Sequence, residues 1–200
     1  MDEIIGSEAI IFKEVWFGRD VIIKKRISKE YRLLELDNKI RTSRIKHEVK
    51  MMMHAKEAKV RVPMIYDVNF FDFSIVMEYI PGITLREYLK NNNNLEPLQK
   101  YFDGIIKLHS HYISHGDPTT SNVIVNDKEV VFIDFSLGKN RSEIEELAVD
   151  IHLIRETFNA LHYQYQELFN EFIEKYSNSW NVGYKVIEKE KELSLRARYT

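Results

Sequence analysis

The chain contains no cysteine, so disulfides and thiolate chemistry are excluded, and nothing points to an oxidising compartment. No apolar run approaches the roughly 18–20 residues needed to span a bilayer. The opening MDEIIGSEAIIFKE carries early acids and lacks the basic-then-apolar layout of a signal peptide. A soluble, cytoplasmic protein with no membrane partner is therefore the expectation. What is present is ordinary for a globular chain of 200 residues: 44% hydrophobic, 30% charged, with eleven tyrosines and eleven phenylalanines for packing. That length suffices for one good core or for two small lobes sharing a cleft.

Net charge is only −2, but it is spread unevenly. Between Arg19 and Arg61 stand fourteen Lys/Arg against six Asp/Glu, so the remainder is strongly acidic. A basic stretch of this kind fits an anionic partner, nucleotide or nucleic acid, and fits equally a solvated helix face.

The first third reads as short strands and then a helix. Ala9 to Phe12 and Val15 to Phe17 are β-formers, and Gly18-Arg19-Asp20 reads as a turn before Val21-Ile22-Ile23. From about Lys39 to Lys59 the spacing becomes helical, with Ile40, Arg44, Ile45, Glu48, Met52 and Ala55 at steps of three and four. Two strands follow, near Met64–Asn69 and Phe73–Glu78, before Pro81-Gly82 breaks the chain. Beyond that break the pattern is mostly helical. Thr84 with Glu87 makes a helix start, Leu95 through Tyr112 is a second helix, and Ser142 with Glu145 caps a third that runs to about Leu161. A hairpin of Val123–Val125 and Val130–Ile133 lies between them, and two more helical stretches precede a basic end. The expected fold is α+β, compact and two-lobed: residues 1–80 form an antiparallel sheet with one long helix, and 81–200 a helical lobe. Ligands favour the cleft between such lobes.

The strongest chemical signal is His115-Gly116-Asp117-Pro118-Thr119-Thr120-Ser121-Asn122, followed by Asp134-Phe135-Ser136. Asp134 ends the second hairpin strand, so the turn returns its carboxylate to Asn122. One carboxylate and one amide oxygen suit a magnesium–ATP complex, because magnesium prefers hard oxygen ligands. Asp117 is then left to orient a hydroxyl or a water, as phosphoryl transfer requires.

A second signal is Val21-Ile22-Ile23-Lys24, a strand ending in a lysine that would contact the nucleotide phosphates, with Glu48 on the next helix as its ion-pair partner. Lys25 competes by adjacency. Strand alternation favours Lys24, which shares a face with Ile22. Third, Val76-Met77-Glu78-Tyr79-Ile80 leads into Pro81 as a lobe connector, with backbone groups around Glu78 and Ile80 on the adenine edge and Met77 beside the pocket. The chain lacks a Gly-x-Gly-x-x-Gly loop; Gly6-Ser7-Glu8-Ala9 stands in that place with one glycine. It also lacks a long activation segment and an Ala-Pro-Glu, which excludes a typical regulated protein kinase.

Together these stretches resemble the small RIO-like atypical kinase/ATPase family that supplies a subunit of the KEOPS tRNA-modification complex. Gly6 to Ala9, Val21 to Arg26, Tyr31-Arg32, Glu35 to Asp37 and Arg61 to Pro63 carry the resemblance in the first half. Met77 to Ile80, HGDPTTSN, Ile133 to Phe135, Ala148 to Ile151 and Arg196-Ala197-Arg198 carry it in the second. The resemblance implies an ATP-dependent kinase/ATPase supporting threonylcarbamoyladenosine formation, able to phosphorylate serine or threonine, itself included. It implies the threonylcarbamoyl-transferase subunit, the other KEOPS subunits and tRNA as partners. Lys24 and Glu48 would then hold phosphates, Asp117 would be the catalytic aspartate, Asn122 and Asp134 would bind magnesium, and Arg196 and Arg198 would face tRNA. Two positions depart from the family: Pro118, usually Leu, biases Asp117 to an extended backbone, and Ser136, usually Gly, resists positive φ. Both are expected to bear on rate more than on fold. Small-molecule phosphotransferases and ATP-binding scaffolds are the alternative readings, the former disfavoured by Thr119-Thr120 where those enzymes carry His further along the loop.

Overall fold

The computed structural model describes residues 3–6, 8–127 and 129–197. Its first half is a five-stranded antiparallel sheet built from β1 (Glu3–Ile5), β2 (Ala9–Trp16), β3 (Arg19–Arg26), β4 (Ile65–Asn69) and β5 (Ser74–Glu78), in the order β1-β2-β3-β5-β4. β2 and β3 run from Ala9↔Arg26 to Trp16↔Arg19, which leaves Phe17 and Gly18 as a two-residue turn. Both have positive φ, 48° and 75°, so the twist of the turn matches that of the strands. The expected turn at Gly18-Arg19-Asp20 therefore lies one residue too late: Arg19 and Asp20 already pair in the sheet.

The helix α1 (Leu34–Glu57) starts five residues before the expected Lys39. Its first turn is missed by apolar periodicity because Leu33, Leu34 and Leu36 are exposed, while the buried residue there is a carboxylate, Asp37. Asp37 is held by Ser28, Arg32 and Arg41, and these polar bonds do the work that apolar burial does further along. Ile45, Met51, Met52 and Ala55 bring the later turns onto the sheet.

The second half holds β6 (Ile83–Thr84), α2 (Leu85–Asn91), α3 (Glu96–Ser110), β7 (Ile113–Ser114), β8 (Val123–Val125), β9 (Val130–Phe132), β10 (Lys139–Asn140), α4 (Ile144–Leu161), α5 (Gln166–Ser179) and α6 (Gly183–Ala197). Thr84 caps α2, its hydroxyl accepting the Glu87 N–H at 3.2 Å. The hairpin β8–β9 is as expected and gains a third strand, β6. The α4 start differs. Glu143, not Ser142, is the N-cap, and the Glu146 carboxylate accepts its N–H at 2.7 Å. Ser142 instead joins β7, accepting the Ser114 N–H at 3.2 Å.

Aromatic packing fills the second half. Phe102 of α3 stacks on Phe172 of α5 with centroids 4.3 Å apart, and Phe158 on Phe169 at 5.3 Å. Arg61 ties the two halves together. Its guanidinium meets Glu78 of β5 at 2.6 and 2.9 Å and Glu129 at 2.8 Å, while its carbonyl accepts the Phe132 N–H at 2.9 Å. Among the described residues no helix is long and apolar enough to cross a membrane.

Gly104 lets α3 approach β9, since a Cβ there would lie 2.4 Å from the buried Phe132 ring. Gly104→Ala should accordingly lower stability by about 1–3 kcal/mol despite alanine's better helix propensity. Urea denaturation of the two proteins measures this.

Candidate nucleotide site

Strand alternation sends Lys24 inward and Lys25 outward. Lys24 is 7% exposed, while Lys25 is solvent-facing with Asp72 as its nearest acid at 4.0 Å. Lys24 Nζ donates to Glu48 Oε1 at 2.6 Å and to Asp134 Oδ1 at 3.0 Å. Glu48 gives its other oxygen to Arg26 at 2.5 Å. A carboxylate 1% exposed needs this: an unpaired charge so deep would cost several kcal/mol. The ion pair read from sequence is thus a four-residue cluster, and Arg26 is the member that reasoning missed. Its place two residues after Lys24, on the same strand face, was the available signal.

The segment after β9 replaces an activation loop with a tight turn. Asp134 has φ 59°, a left-handed backbone in which asparagine and aspartate are tolerated. Ser136 is not among the residues with positive φ, so the strain expected there is absent. Its hydroxyl and N–H instead reach Asp134 Oδ1, at 2.6 and 3.3 Å. Burial pushes the Asp134 carboxyl up, but Lys24 and Ser136 outweigh it and hold it at about 2. The same turn locks α1: His47 Nε2 donates to the Gly138 carbonyl at 2.8 Å, and Asn140 meets His54 at 3.0 Å.

The His115-to-Asn122 loop is held from beneath by Asp150 of α4, which is fully buried. Its carboxylate accepts the N–H groups of His115 at 2.6 Å and Gly116 at 2.9 Å, and lies 3.2 Å from His109 Nε2. His109 is itself fixed by Tyr176 at 2.7 Å. Gly116 has φ 84° and sits where a Cβ would strike the Leu137 carbonyl, so the turn into Asp117 requires glycine. Pro118 is accommodated, its carbonyl accepting the Tyr101 hydroxyl. Burial lowers the His115 pKa, against the opposing fields of Asp150, Asp117 and Asp134, which favours the neutral ring. Asp150 also escaped sequence reasoning as a site residue, because a mid-helix aspartate reads as an exposed charge.

Asn122 Nδ2 donates to the Asp117 carboxylate at 2.7 Å and carbonyl at 3.0 Å, which leaves its amide oxygen for another partner. The Ile133 N–H donates to the Asn122 carbonyl at 2.9 Å, so the residue before Asp134 is bonded directly to Asn122. Lys24, Glu48, Asn122 and Asp134 line one cavity of about 360 Å³ whose other end is apolar, with Ile22 and Met77. Glu78 and Ile80 line it too, although the Glu78 N–H is already given to the Met64 carbonyl at 2.8 Å. Gly6 and Glu8 of the β1–β2 turn and Ala9 at the start of β2 line an adjoining cavity with Lys24 and Asp134. Ser7 and Arg198 lie outside the described residues. Arg196 stands in the last turn of α6.

A polar end with one lysine and paired oxygen ligands, and an apolar end below a sheet, is the layout of a nucleotide cleft. Residues 17–172 match the RIO domain family. The chain belongs to that family. It is 38% identical to the KEOPS complex subunit Bud32 of Pyrococcus abyssi, over 97% of this chain and 94% of that one. It is 37% identical to a probable bifunctional tRNA threonylcarbamoyladenosine biosynthesis protein of Methanobrevibacter smithii, over 98% of this chain. There it spans only 36% of the relative's length. Among solved structures it is similar to the Rio2 kinase of Chaetomium thermophilum, with TM-score 0.66, 15% identity and coverage of 100% of this chain and 72% of that one. The ADP/Mg2+-phosphoaspartate complex of the same kinase gives TM-score 0.61 at 16% identity, over 100% and 71%. These likenesses establish a two-lobed kinase fold for the RIO-family chain.

The lowered Asp134 pKa makes a pH prediction. The group's ordinary value is 3.8 and its folded value about 2, so its stabilising effect is complete above about pH 4 and is lost as pH falls towards 2. Asp134→Asn should abolish that part of the acid destabilisation. Chemical denaturation from pH 5 to pH 2 checks it.

Proposed function

We propose that this RIO-family chain is an ATP-dependent kinase/ATPase that works within a KEOPS assembly, supporting threonylcarbamoyladenosine modification of tRNA. The observation that carries the reading is the Lys24 bridge between Glu48 and Asp134 at the mouth of a cavity shared with Asn122. The names of the relatives at 37–38% identity support the biological setting.

In this reading Ile22 and Met77 hold the adenine, and backbone groups from Glu78 to Ile80 meet its edge. Lys24 contacts the α- and β-phosphates, and Glu48 keeps it extended. The donor set fits magnesium. The bonds to Asp134 fall on Oδ1, leaving Oδ2, and Asn122 presents an amide oxygen, both hard ligands. Magnesium, when bound, neutralises phosphate charge during transfer. Asp117 is the catalytic aspartate, and Asn122 fixes its carboxylate so that it can orient the attacking hydroxyl or water. Asp150 is a positioning residue, holding the His115–Gly116 backbone and hence Asp117. Gly6, Ser7, Glu8 and Ala9 close the phosphate end.

The acceptor hydroxyl is that of serine or threonine, on this chain or another protein, or else water. With no extended segment between Asp134 and α4 to form a substrate shelf, turnover by the chain alone is slow. It rises when the threonylcarbamoyl-transferase subunit and tRNA are present. Arg196 and Arg198 contact tRNA phosphates, which needs charge and not base readout.

Magnesium-dependent ATP hydrolysis by wild type and Asp134→Ala, each with and without the transferase subunit, tests the catalytic reading. The variant should lose at least about tenfold in rate, as expected when transition-state charge loses a stabilising group. Equal turnover would sink the assignment. For the tail, Arg196→Ala with Arg198→Ala should weaken tRNA binding and flatten its salt dependence. Unchanged binding and slope would remove these arginines from the interface.

A further inference from the structure

Glu8, Arg26 and Arg44 form a second ionic cluster beyond Lys24. Two residues further along β3, Arg26 projects from the same face about 6.6 Å from Lys24 along the strand. Its NH2 group holds Glu48, and its NH1 group lies 4.0 Å from Glu8 Oε2. Arg44, one helical turn before Glu48 on α1, pairs with the same Glu8 oxygen. So a single carboxylate on the β1–β2 turn faces two guanidiniums from two different elements.

Lys24, Arg26 and Arg44 are balanced by Glu48, Asp134 and Glu8, so withdrawing Glu8 leaves one positive charge uncompensated. Arg26 is 5% exposed, and its Nε has no hydrogen-bond partner among the described residues. A guanidinium has five donors in a fixed fork; the NH1 group of Arg26, 4.0 Å from Glu8, is too far for a hydrogen bond to it, and Arg26 borders an accessible space. That space is a cavity of about 360 Å³ lined by Glu8, Lys24, Arg26, Arg44, Asp134 and Ser136. It joins the nucleotide cavity through Lys24 and Asp134, which line both. The partners differ in freedom. Arg26 is fixed by burial and by Glu48, whereas the Glu8 side chain is 45% exposed on a turn. Rotating Glu8 into solvent breaks only an ion pair at the surface, a small cost.

We propose that Arg26 and Arg44 form an anion subsite for the terminal phosphate of a nucleoside triphosphate, and that Glu8 is the carboxylate this phosphate displaces. A phosphate offers more acceptor oxygens and more charge than the carboxylate it replaces, and matches paired guanidiniums bidentately. The subsite rests on the nucleotide reading above and adds discrimination to it. A diphosphate engages Lys24 but does not reach Arg44, so it leaves Glu8 in place. Glu8 thereby couples triphosphate binding to α1, which carries Arg44 and Glu48.

Calorimetric titration of the full chain with magnesium and ATP, and separately with magnesium and ADP, tests this on wild type, Glu8→Gln and Arg44→Gln. Both substituted side chains are partly exposed, and circular dichroism verifies that each protein is folded. Arg44→Gln should weaken ATP binding about tenfold, the worth of one charge-assisted hydrogen bond, with ADP changed by less than about twofold. Glu8→Gln should tighten ATP about three- to tenfold and leave ADP unaltered. If all three proteins bind both nucleotides with one and the same ADP-to-ATP ratio, the subsite is overturned while the nucleotide site stands. If wild type binds neither nucleotide, the nucleotide reading itself falls, and the subsite with it.

Discussion

The buried ionic cluster around Glu48 is the constraint on which the rest of the structure depends. A carboxylate almost sealed from water is tolerable only while cations occupy both of its oxygens, and Lys24 and Arg26 do so from one face of one strand. Satisfying it fixes three things at once. The register of β3 is set, because a slip of one residue would turn both cations to the outside. The position of α1 is set, because Glu48 must face the sheet. Asp134 is drawn to the cleft, because Lys24 has a donor to spare for it. The polar end of the cleft is thus shaped by the same bonds that hold the sheet to the helix.

A second polar anchor plays the equivalent part in the other half. Asp150 gathers the backbone of His115 and Gly116 and the ring of His109 around one carboxylate. The loop carrying Asp117 therefore rests on α4, and its geometry follows that of the helical core. Arg61 and the short turn after Asp134 connect the two halves, the first through Glu78 and Glu129, the second through His47 and His54. Only eight residues lie between Asp134 and the N-cap Glu143, so this connection is short.

Much of this was legible in the chain. Alternation in Val21 to Arg26 decided between Lys24 and Lys25, and burial agrees with that choice. The spacing of Asp117, Asn122 and Asp134 around a hairpin was equally readable, because a tight hairpin returns the chain to its starting point. Errors arose where polar bonds replaced apolar pattern. The first turn of α1 rests on Asp37, the α4 cap is Glu143 with Glu146, and the turn between β2 and β3 uses Phe17 in a backbone conformation that its side chain does not advertise. The concern over Ser136 came from reading one position by its residue type. In the structure the left-handed backbone falls at Asp134, and the serine hydroxyl steadies that carboxylate.

The sequence by itself determined the order of the longer helices, the hairpin around residues 123–132 and the family, since periodicity and motif spacing are local properties of the chain. The two-residue strands β6, β7 and β10 carry no such pattern. Only the tertiary structure decided which charges share a partner. Arg26 and Lys24 divide one glutamate, Asp150 serves two backbone amides and a histidine, and Glu8 faces two arginines. Each of those choices is made by burial, because in the low dielectric of the interior a charge must be met by whatever lies nearest in space, whatever its distance along the chain.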